Sequence, residues 1–134
     1  MAKNKIDESK EATVRGNGMP VSMKQCMAIC DFIKGKKIEA ATKELEEVIK
    51  MKRAIPMKGE VPHRKGGFGG RYPIKASKIF INMLKSLSAN ASAKGIDAEN
   101  AKIFAKADKA SRPRRAGKYG GRKFKRTHIF ISVK

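Results

Sequence analysis

Residues 102–134 decide the reading of this chain: KIFAKADKASRPRRAGKYGGRKFKRTHIFISVK. At the start of the stretch Ile103, Ala105 and Ala107 alternate with Lys102, Phe104, Lys106 and Asp108. At its end Ile129, Ile131 and Val133 alternate with Phe130, Ser132 and Lys134. A period of two puts successive side chains on opposite faces, so both ends read as strands. Between them, Lys109 to Arg126 hold nine Lys/Arg among eighteen residues and no acid. A segment of that composition has too little apolar surface to bury against its own chain. Strands on both sides of such a middle predict a β-hairpin over 102–134. Its base joins the core, and a basic arm, about 109–126, projects away. About ten residues a side, at about 3.3 Å each, give the arm a reach of roughly 30 Å.

Upstream, helical periodicity takes over. Ala76, Ile79, Phe80, Met83, Leu84, Leu87 and Ala91 form one stripe, with Pro73 in the first turn and Gly95 as the stop. Ile38, Ala41, Leu45, Val48 and Ile49 share the face of a second helix, whose other faces carry four of the chain's twelve acids. Cys26, Ile29, Cys30 and Ile33 mark a third, which opens on Ser22 and Gln25 in capping-box spacing and closes at Gly35. Glu11 to Arg15 reads as a short strand, and residues 1–9 as a flexible terminus. From Arg53 to Tyr72 periodicity stops. Pro56, Pro62 and Gly66–Gly70 predict a long surface loop, basic through Lys58, Arg64, Lys65 and Arg71. The fold class expected is α+β: three helices packed on a small antiparallel sheet, with a long protruding basic β-hairpin. Residues 1–134 read as a single domain.

Composition sharpens the functional reading. The 134 residues contain 32 Lys+Arg against 12 Asp+Glu, a net charge of +20. Self-repulsion on that scale opposes compaction, and a polyanion partner relieves it. Hydrophobic residues still make up 40%, too many for a disordered tail, while aromatics at 6% exclude base stacking as the main binding device. No apolar run is long enough to span a membrane, and Met1 to Lys10 resembles no signal peptide, so a cytoplasmic location is expected.

The arm carries the chemistry. Lys109, Arg112, Arg114, Arg115, Lys118, Arg122, Lys123, Lys125 and Arg126 suit phosphate neutralisation with counterion release. With Lys24, Arg64, Lys65 and Arg71 they form the expected RNA-binding set. Pro113 stiffens the chain among arginines whose forks grip phosphate with two bonds. No helix presents a basic reading face, and neither zinc-finger spacing nor an RNP aromatic motif occurs. An irregular basic loop and arm suit RNA junctions recognised by shape and backbone. The glycines at 66–70 lack the GxxxxGK[ST] pattern of a phosphate loop. His63 and His128 have no partners at metal-ligand spacing, and Cys26 and Cys30 read as core thiols. With no nucleophile constellation, neither enzyme activity, cofactor nor metal is expected.

These residues resemble a known family. Lys109, then Arg114 after four residues, Gly117-Lys118, and nine residues on His128 with Ile129, Ile131 and Val133 follow the C-terminal pattern of the large-subunit ribosomal protein called L-twenty-two in bacteria and archaea and L-seventeen in eukaryotes. Arg115 departs from it, standing where the family usually has a small residue. Val21-Ser22-Met23-Lys24 is similar to the family's first helix start, and Ile33-Lys34-Gly35-Lys36 to the turn that follows. Gly70-Arg71-Tyr72-Pro73-Ile74-Lys75-Ala76 resembles the archaeal and eukaryotic branch. The resemblance covers roughly residues 10 to 134. It implies a structural constituent of the large ribosomal subunit that binds and helps fold large-subunit rRNA. It also implies neighbouring ribosomal proteins as partners and no homo-oligomer. The arm's tip, Arg112, Pro113, Arg114, Arg115, Ala116, Gly117 and Lys118, would stand at the wall of the exit tunnel, near the nascent peptide. The arm here is a few residues shorter than in bacterial members.

One rival from the residues themselves is an architectural DNA-compacting protein whose arm enters a minor groove. It predicts duplex DNA binding as tight as rRNA binding, and a dimer. The other, an RNA-processing enzyme or its accessory subunit, lacks residues to carry turnover.

Overall fold

The computed structural model describes residues 11–57 and 70–134. The expectations for 1–9 and for Lys58, His63, Arg64, Lys65 and Gly66–Gly69 lie outside the described residues. Strand β1 (Ala12–Met19) is followed by helices α1 (Met23–Ile33) and α2 (Ile38–Ile49). Two short strands come next, β2 (Ile55–Pro56) and β3 (Gly70–Arg71). Helix α3 (Ile74–Ala93) and strands β4 (Ile103–Lys109) and β5 (Thr127–Val133) complete the chain. The architecture is α+β, with three helices and antiparallel pairing throughout.

The main sheet has the order β1-β5-β4, so the last strand is central. Ile103 pairs with Val133 and Lys109 with Thr127 along β4–β5, while Ala12 pairs with Val133 along β1–β5. Ile129, Ile131 and Val133 face the helices and are buried, as are Ile103 and Ala105 across the ladder. Helix α1 packs against β4, α3 against β1 and β5, and α2 against α3. Phe80, Leu84 and Leu87 of α3 are fully buried, each contributing about 2–3 kcal/mol by leaving water.

The helix stripes fall where periodicity put them, with Ser77 and Ile81 as further buried members of α3 and Ile79 only half-buried. Helices α1 and α3 end where Gly35 (φ +78°) and Gly95 (φ +72°) enter the left-handed region. At α3 the Ile96 N–H reaches back to the Ala91 carbonyl at 2.9 Å, closing a Schellman motif. Gly35 instead donates to Ile103 at 2.8 Å, tying the α1–α2 turn to the edge of β4.

Four expectations are corrected. Ser22 is the N-cap of α1, but its side chain makes no capping hydrogen bond, so the capping box does not form. Pro73 is the N-cap of α3 rather than part of its first turn. Strand β1 runs on past Arg15 to Met19, through a register shift between Gly16 and Met19. That bulge is held by His128, whose Nδ1 accepts the Gly18 N–H at 2.9 Å. Finally, the stretch from Arg53 to Tyr72 is not all surface loop. Ile55 is fully buried, and Ile55–Pro56 pair with Gly70–Arg71 to bring the two ends of the segment together.

Candidate nucleic-acid interface

The arm starts where the β4–β5 ladder stops, at the Lys109–Thr127 pair. Pairing resumes at Arg114–Lys123. Between these pairs the outgoing side advances five positions and the returning side four, the extra residue of a bulge. Two backbone bonds hold the resumed register: Arg115 N–H to Arg122 O at 3.0 Å and Phe124 N–H to Pro113 O at 2.9 Å. Pro113 lacks a donor and serves here as an acceptor. The chain reverses through a 3-10 turn, Gly117–Tyr119, closed by the Gly120 N–H on Gly117 O at 3.0 Å and the Arg122 N–H on Tyr119 O at 2.9 Å. The arm is therefore not the continuous ribbon that alternation suggests: a paired base, a bulge, one bridge and a tight turn succeed one another. Arg112 and Pro113 lie on the outgoing side, and Gly117 and Lys118 in the turn itself.

Eight of the nine arm cations are exposed, and Arg126 is half-buried. Among the described residues none of the nine is in an ion pair with a carboxylate. Phe124 stands between two of them, with the Arg115 guanidinium 4.8 Å and that of Arg126 5.5 Å from its ring centre. Such contacts are worth about 0.5–1 kcal/mol at exposed sites, and they restrain two guanidinium groups on an otherwise extended arm.

The foot of the arm is anchored. Thr127 is fully buried, and its hydroxyl donates to the Val21 carbonyl at 3.0 Å, joining the root of β5 to the residue before the α1 N-cap. This bond sets a cleft between arm and body. Arg115, Arg122, Lys123, Lys125 and Arg126 line one side, and Ser22, Gln25 and Lys75 the other. Lys75 was not among the residues expected from sequence. It sits in the first turn of α3, and only the fold brings it to the arm. A lysine two residues after Pro73 in the quoted Gly70–Ala76 motif was the available signal, but nothing in its spacing says what it faces.

Lys24 and Arg71 come together elsewhere, in a groove between α1 and the β2–β3 pair that also takes in Asp31, Phe32, Tyr72 and Pro73. The Arg71 guanidinium lies 3.4 Å from the Gly70 carbonyl. The expected set thus divides into the arm and a separate pair, with Arg64 and Lys65 outside the described residues. Among the described residues no acid lines the cleft of the arm. Glu44 on α2 takes both Lys36 and Arg53, the latter at 3.3 Å, while Glu39, Glu46 and Glu47 stay exposed. Cys26 and Cys30 are free, buried thiols; burial pushes both up to about 12. Among the described residues no three His, Cys, Asp or Glu gather as a metal site, and no helix is long and apolar enough to cross a membrane.

Comparison with known proteins agrees with this geometry. The family described as ribosomal protein L22p/L17e matches residues 14–134. The large ribosomal subunit protein uL22 of Archaeoglobus fulgidus is 50% identical over 100 residues, which span 70% of this chain and 64% of that relative. The uL22 protein of Methanocaldococcus jannaschii is 38% identical over 107 residues, 75% of this chain and 69% of its own. That of Methanoregula boonei is 34% identical over 143 aligned positions, covering 97% of this chain and 93% of its own. A match across the whole body and arm, with archaeal relatives at this identity, places the chain in the ribosomal protein L22p/L17e family, in its archaeal-type branch.

Proposed function

We propose that the chain is a structural constituent of the large ribosomal subunit, in the cytoplasmic ribosome. Its arm binds large-subunit rRNA and helps to fold it. The observation that carries this reading is the arm itself: nine cations that find no carboxylate partner among the described residues, standing off a body that carries four of the twelve acids on α2. Phosphate contacts there would release condensed counterions, a driving force that requires no apolar burial. Family membership makes the role structural rather than enzymatic.

On this reading the RNA-binding residues are Lys109, Arg112, Arg114, Arg115, Lys118, Arg122, Lys123, Lys125 and Arg126, joined by Lys75 across the cleft. Lys24 and Arg71, with Arg64 and Lys65, serve a second contact. The tip, Arg112 to Lys118, stands at the exit-tunnel wall near the nascent peptide, with neighbouring ribosomal proteins around the body. Residues 1–134 act as one domain, without self-association.

Sedimentation of a cell lysate through sucrose, before and after a high-salt wash, tests the reading. Stoichiometric migration with the large subunit after the wash is the expected result. Migration at the top of the gradient, or with nuclease-sensitive DNA, would overturn it.

A further inference from the structure

Among the described residues, one face of the main sheet has no helix on it. Strand alternation puts Thr13, Arg15, Phe104, Lys106, His128 and Phe130 there, opposite the buried Ile103, Ala105, Ile129 and Ile131. Arg15, Phe130 and Lys106 are direct neighbours across the three strands. The Arg15 guanidinium lies 5.4 Å and the Lys106 ammonium 6.0 Å from the Phe130 ring centre. In the next row stand Thr13, Ser132 and Phe104, and Lys34 reaches to 5.0 Å from the Phe104 ring. Phe104, the second residue of β4, is 46% exposed, so the phenylalanine gains little from folding there. Between the two rings in the ladder, Ser132 Oγ is buried without a hydrogen-bond partner among the described residues.

Two rings on adjacent strands, offset by two positions and each with a long cationic side chain over it that can swing to a phosphate, match the spacing and chemistry by which open sheets take up unpaired nucleotides. Bases stack on the rings, and cations meet the backbone phosphates. The charge favours a polyanion on this face: among the described residues of its strands the one acid there, Asp108, is engaged with Lys106 at 3.5 Å, and Arg15 and Lys34 have no carboxylate partner. The Ser132 hydroxyl is a spare donor for a ribose or base edge once the exposed Phe104 ring turns onto a base. Low aromatic content makes stacking a minor device for the chain as a whole, yet two of its six phenylalanines meet on this face.

We infer that the open face of the β1-β5-β4 sheet is a further RNA site, distinct from the arm and from the Lys24–Arg71 groove, that stacks bases of a single-stranded RNA segment on Phe104 and Phe130. The assignment rests on the RNA-binding reading above but occupies a different surface, so the two can fail separately. The test uses the full chain and an eight-nucleotide single-stranded RNA carrying 2-aminopurine, whose fluorescence falls on stacking. The wild type quenches the probe. Phe104→Ala loses the quenching and about tenfold in affinity for the probe, whereas Phe104→Tyr keeps both. Arg112→Ala/Arg114→Ala/Arg115→Ala keeps the quenching while losing affinity for folded rRNA. Quenching that survives in Phe104→Ala, or vanishes only with the arm variant, overturns the assignment, as does its absence in the wild type. In assembled particles, hydroxyl-radical protection of Phe104 that persists after the RNA is digested marks a protein partner and overturns it too. Failure of the ribosomal reading is scored apart, by loss of rRNA binding in the wild type.

Discussion

Met51 shows how much one side chain can store. It occupies the left-handed region at φ 57°, one residue past the α2 cap, with the Lys52 N–H bonded to Glu47 O at 2.9 Å. That is the C′ position of a Schellman motif, which glycine fills without steric cost. Met51 is 56% exposed, so little packing offsets the strain. Met51→Gly is expected to stabilise the chain by about 0.5–1 kcal/mol, read as a higher urea midpoint. The buried thiols make a second case. Burial raises both Cys26 and Cys30 from 9.0 to about 12, with the Cys26 charge adding to the effect on Cys30 and a Thr127 hydrogen bond slightly opposing it on Cys26. Below about pH 9 the thiols are neutral in both folded and unfolded chains, and stability is unaffected. Between about 9 and 12 the unfolded chain ionises them more readily, so their contribution is lost as pH rises. Cys30→Ala should therefore show a shallower alkaline fall in melting temperature than the wild type. At pH 8 a thiol-disulfide reagent should label neither cysteine until guanidinium unfolds the chain.

Elements explain why the arm can be basic without dissolving the body. The β4–β5 ladder, the Thr127–Val21 bond and the Gly35–Ile103 bond fix its root, and no residue between Lys109 and Thr127 is buried in the core. Arg112→Ala/Arg114→Ala/Arg115→Ala should accordingly leave helical circular dichroism and melting temperature within experimental scatter while weakening rRNA association. A loss of helix in that variant would break the separation of arm and body. The β2–β3 pair carries the opposite expectation. Ile55 is fully buried between α1 and the base of the long segment, so Ile55→Ala should cost about 2–5 kcal/mol in urea unfolding. A loss under about 1 kcal/mol would show that the pair is peripheral to the core.

Over the whole molecule the charge is sorted rather than spread. The net +20 is weighted toward the arm and its cleft, while four of the twelve acids sit on α2. Packing Lys75 and five arm cations around one cleft is costly for a chain alone in low salt and favourable once phosphates arrive. If all nine arm cations meet phosphates, the logarithm of rRNA affinity should fall with that of salt at a slope of about −6 to −8. The triple arginine variant should reduce that slope by about 2–3. An unchanged slope would place the contacts elsewhere on the surface.

Much of this was legible in sequence because local rules decided it. Alternation at Ile103–Ala107 and Ile129–Val133, the stripes of all three helices and the stops at Gly35 and Gly95 depend on neighbours a few residues away. So does the basic character of the arm, since eighteen residues with nine cations and no acid cannot bury themselves whatever the rest of the chain does. What depended on distant partners was not legible. The strand expected over Glu11 to Arg15 continues through Gly16, Asn17 and Gly18 because β5 supplies a partner and His128 a hydrogen-bond acceptor. Ile55 sits among turn residues and is buried because β3 returns beside it. Ser22 caps without its box, since only side-chain geometry decides whether that bond forms. The sequence by itself determined the three helices, the strands β4 and β5, the charge and the family. The tertiary structure decided the strand order β1-β5-β4, and with it Lys75 facing the arm and two phenylalanines sharing an open face. Those juxtapositions join residues tens of positions apart, and long-range pairing leaves no trace in local periodicity.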